Sequence, residues 1–139
     1  MSNINLESYV RDHLDELNFE VVCERHPLSE DFIREVKDKV NWEFWEAVVM
    51  RQKLSEKFIE EFQDYLDWTW ISRDQKLSSQ FMEKHLDKLD WYIISWAQKL
   101  DKDFIKKYWK KLDWTCLRNN QKDLDEFINN FRKYGKYVV

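Results

Sequence analysis

Apolar residues recur along this chain at positions i, i+1, i+4 and i+8 of a repeating unit, as in Phe58, Ile59, Phe62 and Leu66. This spacing puts the four side chains on one stripe of an amphipathic helix of about three turns. We call this predicted element, which spans about eleven residues, the A helix. Its first apolar position is aromatic in every unit: Phe32, Phe58, Phe81, Phe104 and Phe127.

A second, shorter pattern starts at a Leu-Asp-Trp triplet that recurs every 23 residues, with its Trp at 68, 91 and 114. The Asp before the Trp is a favourable N-cap, so the triplet predicts a B helix of about seven or eight residues. Because a helix of that length is unstable alone, it must be stabilised by packing between A helices. We therefore expect core positions for the tryptophans that open the B helices: Trp42, Trp68, Trp91 and Trp114.

The first full unit is longer than the others, because Trp42 lies 26 residues before Trp68. We expect the three additional residues to fall within Glu43–Arg51 and to lengthen the first B helix. At the other end, the pattern fades after Phe127, and Gly135 is a plausible stop for the last helix.

A fixed period of this size is typical of stacked supersecondary units. The sequence predicts an all-α fold, a small α-solenoid of helix-turn-helix (αα-hairpin) repeats with about six units. We expect one helical-repeat domain over residues 1–139. Its parts are an N-terminal capping unit (1–25), four repeats (26–121) and a C-terminal capping unit (122–139).

Polar residues also recur at fixed positions of the repeat. Side-chain oxygens stand just before the A helices, where they can cap the first free amides: Ser29, Ser55, Ser78 and Asp101. A second series lies where one unit joins the next, and we expect its amides to satisfy backbone groups at helix ends: Gln52, Gln75, Gln98 and Gln121.

Composition excludes several classes of protein. Aromatic residues make up 17% of the 139 residues, too many for a disordered chain. Gly and Pro occur once each, which argues against hairpin-rich folds and Gly-rich phosphate loops. No apolar run approaches the roughly 20 residues of a membrane span, and the first residues lack the features of a secretory signal. We expect a cytoplasmic protein in which Cys23 and Cys116 are free thiols.

Catalytic and metal-binding motifs are not found in the sequence. Cys23 and His26 form a single Cys-x-x-His pair without the second pair that a zinc site needs. His85 occupies an apolar position of an A helix and is expected to be a buried, hydrogen-bonded core residue. With no HExxH, Walker or nucleophile-elbow sequence, we expect no enzymatic activity, no metal and no cofactor.

Four tryptophans do not recur in a register that starts at Trp42, and they are the better candidates for an aromatic that contacts a ligand, although packing is the stronger interpretation: Trp45, Trp70, Trp96 and Trp109.

Charge is distributed unevenly along the chain. Residues 1–70 carry 17 acidic and 8 basic side chains, and residues 71–139 carry 10 acidic and 15 basic ones. Stacked repeats would turn this difference into a gradient along one surface that steers a charged partner; an ordinary solvated surface is the alternative. The candidate partner-binding residues are Glu60, Glu61 and Asp64 in the acidic part, and Lys102, Lys106, Lys107, Trp109, Lys110 and Lys111 in the basic part.

The repeat resembles a family of short helical repeat proteins common in bacteriophages and large DNA viruses. The resemblance rests on Gln75-Lys76-Leu77-Ser78 followed by Phe81, and on Leu89-Asp90-Trp91. It implies an α-helical array of viral or mobile-element origin, and hence a host factor as the target.

We expect a non-catalytic module that binds a protein partner. Three alternatives stay open. Residues Lys99–Lys111, with Tyr108 and Trp109, could bind nucleic acid or a nucleotide. The acidic residues within 7–67 could imitate nucleic acid. The oppositely charged ends could associate head to tail. We expect no membrane partner.

Overall fold

The computed structural model describes the backbone of residues 3–134 and the side chains of residues 6–131. This part of the chain is all-helical and has no strand, which confirms the predicted all-α repeat fold. None of its helices combines the length and apolar character that crossing a membrane requires. The α-helices are α1 (Asn3–Asp12), α2 (Phe19–Arg25), α3 (Glu30–Val36), α4 (Trp42–Arg51), α5 (Glu56–Glu61), α6 (Trp68–Asp74), α7 (Ser79–Lys84), α8 (Trp91–Ala97), α9 (Lys102–Tyr108), α10 (Trp114–Asn120) and α11 (Asp125–Tyr134), with a 3₁₀ helix at Lys122–Leu124.

The helices fall into two compact units, the first ending at Gln75 and the second beginning at Lys76. A and B helices alternate along the chain, so that the odd-numbered helices are A and the even-numbered ones B. In the first unit α4 packs between α2 and α6, and in the second α8 packs against α10. The predicted single domain and its capping units stay a prediction, and Gly135 lies outside the described residues.

The inner A helices, α3, α5, α7 and α9, are shorter than predicted. α5 and α7 have six residues each rather than about eleven, because the chain leaves α geometry at Phe62 and His85. Tight turns continue the path, with the Tyr65 N–H donating to the Phe62 carbonyl at 2.9 Å. Leu66, at position i+8, is buried although it lies beyond the helix. The apolar spacing therefore predicted the burial of Leu66 correctly but placed the end of the helix wrongly. A tight turn after the helix can bury the same side chain that a further helical turn would bury.

The B helices have the predicted length. α6, α8 and α10 are seven residues long, and α4, with ten, contains the three additional residues. Their N-caps are also as predicted, since a side-chain oxygen of the preceding residue accepts a hydrogen bond from the first turn in each: Asn41, Asp67, Asp90 and Asp113.

The caps of the A helices follow the same chemistry. Ser55 Oγ accepts a hydrogen bond from the Phe58 N–H at 3.1 Å, and Asp101 Oδ1 accepts one from the Phe104 N–H at 2.7 Å. Asp101 Oδ2 also accepts a hydrogen bond from the Ser79 hydroxyl at 2.6 Å. These bonds favour the carboxylate, the Ser79 bond most of all, and lower the pKa of Asp101.

The lowered pKa predicts an acid-dependent loss of stability. Asp101 binds a proton more weakly in the folded protein than in the unfolded chain, so its contribution is complete above the ordinary Asp pKa of about 3.9 and is lost as the pH falls through the lowered value. Asp101→Asn keeps an acceptor for the Phe104 N–H but does not titrate. In urea unfolding at a series of pH values, the wild-type protein should lose stability relative to this variant on acidification, and parallel pH curves would contradict the assignment.

Four buried glutamines close the joints between repeats, which confirms the structural interpretation of this series. Gln75 Oε1 accepts a hydrogen bond from the Leu54 N–H at 3.0 Å, and its Nε2 donates to the Val49 and Gln52 carbonyls at 2.6 and 2.8 Å. Each amide thus satisfies backbone groups left free at helix ends. The other three accept in the same way, from the N–H groups of Leu28 (to Gln52), Leu77 (to Gln98) and Leu100 (to Gln121).

The tryptophan prediction was wrong for the first unit. Trp42 is 64% exposed, whereas Trp45 is 4% exposed, with its ring centroid 5.6 Å from that of Phe62 and 5.1 Å from that of Tyr65. The reason is register: Trp45, not Trp42, lies 23 residues before Trp68. The additional turn precedes Trp45 and carries Trp42 into solvent. The equivalent rings of the later repeats are half-buried: Trp68, Trp91 and Trp114.

Candidate interaction surface

The five candidate lysines lie on α9 and on the turn that follows it, and all five are exposed. We call them the lysine surface: Lys102, Lys106, Lys107, Lys110 and Lys111. Helix α9 presents them because Phe104 and Ile105 are buried on its opposite side, as the apolar pattern predicted.

Each ammonium group of the lysine surface lies over an aromatic ring. Lys102 and Lys106 share the ring of Phe127, with Nζ 5.7 and 5.8 Å from its centroid. An aromatic face attracts a cation at such distances, so the rings hold the charges on the surface without neutralising them. The other three rings are those of Tyr108 (under Lys107, 5.6 Å), Trp109 (under Lys110, 5.5 Å) and Trp91 (under Lys111, 5.3 Å).

Carboxylates contact this surface at one point in the described part of the chain. Lys107 Nζ lies 3.4 Å from Glu83 Oε1, and the Glu83 charge raises the pKa of Lys107. The other four lysines have no carboxylate within ion-pair distance among the described residues.

Trp109, the aromatic candidate of this surface, is half-buried. Its ring lies 6.3 Å from that of Phe131, and its carbonyl accepts a hydrogen bond from Trp114 Nε1 at 3.1 Å. Of the other aromatic candidates, Trp45 is buried, which agrees with the packing interpretation and removes it as a ligand-contacting candidate. Trp70 is half-buried, and Trp96 is 41% exposed.

The acidic candidates lie in the first unit, and one of them is already engaged. Arg34 donates to Glu61, with Nε 3.1 Å from both carboxylate oxygens. Asp64 is exposed, and Glu60 is half-buried, with its carbonyl accepting a hydrogen bond from the Gln63 side chain. The structure does not bring the acidic and basic candidates together within one unit.

Ion pairs between successive A helices are a feature that the sequence analysis missed. Arg11 lies 5.5 Å above the Phe32 ring and donates to Glu35 with N···O distances of 3.1 and 2.7 Å. The hydrogen bond to Arg11 lowers the pKa of Glu35. Arg34 repeats this arrangement, 5.2 Å above the ring of Phe58 and bound to Glu61.

The pair in the second unit has the opposite polarity. Glu83 stands at the repeat position of Arg34, and its partner Lys107 at that of Glu61. A signal for these pairs was present in the sequence, because opposite charges stand one residue more than a unit apart: 24 residues for Arg11–Glu35 and Glu83–Lys107, and 27 for Arg34–Glu61 across the longer first full unit. Part of the uneven charge therefore joins neighbouring repeats.

Cysteine and histidine do not form a reactive site in the described residues. Both cysteines are free, Cys23 buried and Cys116 half-buried. Burial raises the pKa of Cys23 to about 12, so its thiol stays protonated. His85 is buried with its ring 4.6 Å from that of Phe81, as expected of a core residue. No cluster of three or more potential metal ligands occurs in this part of the chain.

Comparison of the chain with protein-family models, with curated proteins and with solved structures gave no match. The resemblance to viral repeat proteins therefore stays a prediction, and what the protein binds has to be argued from its own surface.

Proposed function

We propose that this protein is a non-catalytic helical-repeat module that binds an acidic protein partner through the lysine surface. The observation that supports the proposal is a set of five exposed ammonium groups, four of them without a carboxylate among the described residues. Lysines held over aromatic rings are already partly ordered, which reduces the entropy that binding has to overcome.

An acidic protein fits this surface better than nucleic acid does. Stacking of a base requires an open aromatic face, but Tyr108 and Trp109 are half-buried and each has a lysine over its ring. Mimicry of nucleic acid by the first unit is disfavoured too, because carboxylates such as Glu35 and Glu61 are paired with arginine.

If the resemblance to viral repeat proteins holds, the partner is a host factor, and binding would inhibit it. This step depends on likeness of sequence pattern alone. The absence of enzymatic activity and the cytoplasmic location likewise stay predictions.

The experiment is affinity capture with three baits. The native protein is compared with a variant in which Lys106, Lys107, Lys110 and Lys111 are replaced by Glu. A matched control carries the same charge change at exposed lysines outside the surface: Lys39, Lys53, Lys57 and Lys76. We expect one acidic protein to be retained by the native and control baits, and its affinity for the reversal variant to fall by about tenfold or more. Circular dichroism should show equal helicity in all three.

Two results would contradict the proposal. One is a partner retained equally by the reversal variant, which would exclude the lysine surface. The other is nuclease-sensitive capture, in which the eluate contains nucleic acid and binding weakens steeply with salt; it would support the nucleic-acid alternative instead.

A further inference from the structure

The joint between α9 and α11 has a cation over an aromatic ring, as the ion pairs of the first unit do, but it lacks their carboxylate. In the first unit, the cation that follows the first two apolar positions of an A helix lies over the Phe of the next A helix and pairs with a Glu three residues after that Phe. Arg11 does so with Phe32 and Glu35, and Arg34 with Phe58 and Glu61.

Lys106 occupies the same repeat position, directly after the buried Phe104 and Ile105. Its ammonium lies 5.8 Å from the Phe127 centroid, as the guanidinium groups of Arg11 and Arg34 lie over their phenylalanines. Three residues after Phe127, however, stands Asn130, which is exposed and uncharged. The position that is a carboxylate in both arginine pairs of the first unit is here an amide.

A second cation at the same ring adds to the positive charge of this joint. Lys102 lies over the same ring at 5.7 Å and lines an open cavity of about 290 Å³ together with Phe127 and Asn130. Neither Lys102 nor Lys106 has a carboxylate within ion-pair distance among the described residues. Two ammonium groups thus flank one ring at the place where a carboxylate would be expected.

We infer that this joint, formed by Lys102, Lys106, Phe127 and Asn130, is a receptor for one carboxylate of the acidic partner. The inference rests on the proposed function and deepens it. An Asp or Glu side chain of the partner would take the place that Glu35 and Glu61 hold in the first unit, bound by Lys106 and Lys102 above Phe127.

The chemistry of the cavity favours a carboxylate over a phosphate backbone. Asp123 and Glu126 line the same cavity as Lys102. These charges repel any anion, and they repel a continuous row of phosphates more strongly than a single carboxylate because the repulsion grows with the number of charges.

The test introduces a carboxylate into the joint by substitution of one of its own residues. Asn130→Glu restores the residue type found at Glu35 and Glu61, and its carboxylate should compete with that of the partner. Asn119→Glu adds the same charge at an exposed position of α10 and is the matched control. The probe is a short fluorescein-labelled peptide with one Glu among uncharged residues, with binding measured by fluorescence anisotropy at low ionic strength, and a short single-stranded oligodeoxynucleotide as the comparison.

We expect the wild-type protein and Asn119→Glu to bind the peptide, and Asn130→Glu to bind it about tenfold or more weakly. Lys106→Gln should also weaken binding, and adding it to Asn130→Glu should cost little more, because both changes remove the same contact. Asn130→Glu should melt at a higher temperature than Asn119→Glu, since it gains a pair with Lys106.

Equal peptide affinity of the two Glu variants would overturn the inference. It would also be overturned if the wild-type protein showed no saturable binding of the peptide, or if it bound the oligodeoxynucleotide more tightly than the peptide. The proposed function can fail separately. A partner lost on reversal of Lys106, Lys107, Lys110 and Lys111 but retained equally by Asn130→Glu and Asn119→Glu would keep the lysine surface and exclude the joint.

Discussion

Replacing Gln75 by Leu is expected to lower the free energy of unfolding by roughly 3–5 kcal/mol. The Gln75 side chain is 4% exposed and bonds to three backbone groups, the N–H of Leu54 and the carbonyls of Val49 and Gln52. Leucine has a similar size but no polar atoms, so all three groups would lose their partner in a place that water does not reach. Each unsatisfied buried group costs about 1–3 kcal/mol, and partial rearrangement reduces their sum.

Gln80→Leu is the control, because Gln80 is exposed on α7 and its replacement should change stability by less than about 0.5 kcal/mol. Urea unfolding of both variants measures the difference. A loss below about 1 kcal/mol for Gln75→Leu would mean that water enters the joint and replaces the amide.

The glutamine joints show how far a sequence pattern can lead. A polar residue fixed at one position of every repeat predicted a structural role, and the buried amides confirm it. The partners were not predictable, because the Leu54 N–H and the Val49 carbonyl lie 21 and 26 residues from Gln75. Only the path of the chain through the joint brings them together.

The ion pairs, in contrast to the glutamines, were not predicted by the repeat pattern. The uneven charge of the two halves suggested a gradient, but Arg34 and Glu61 belong to different positions of the repeat and are joined across neighbouring A helices. The pairing depends on which side chains meet between helices, which the period alone does not reveal. The exposure of the candidate lysines was nevertheless predictable, because none of them stands at an apolar position of the repeat.

Trp45 was misassigned for a simpler reason. Asn41 resembles the Asp caps and so favoured Trp42 as the counterpart of the later tryptophans, although the 23-residue spacing belongs to Trp45. A cap marks where a helix begins, whereas the spacing marks which side chain faces the core. In α4 the helix begins at Trp42, and the side chain that faces the core is Trp45, three residues later.

That distinction predicts different outcomes for two tryptophans of one helix. Trp45→Ala should lower the free energy of unfolding by about 3–5 kcal/mol, because it removes a buried indole and leaves a cavity beside Phe44, Phe62 and Tyr65. Trp42→Ala should change it by less than about 1 kcal/mol, since 64% of that residue is in solvent.

Both variants remove the same side chain from α4, so helix propensity changes equally and the difference reports burial alone. Urea unfolding followed by circular dichroism avoids the tryptophan signal that the substitutions alter. Equal destabilisation by the two variants would contradict the register, because it would require Trp42 to contribute to the core as much as Trp45 does. A small loss for both would mean that the joint between α4 and α5 collapses around the missing ring, as a loosely packed repeat would do.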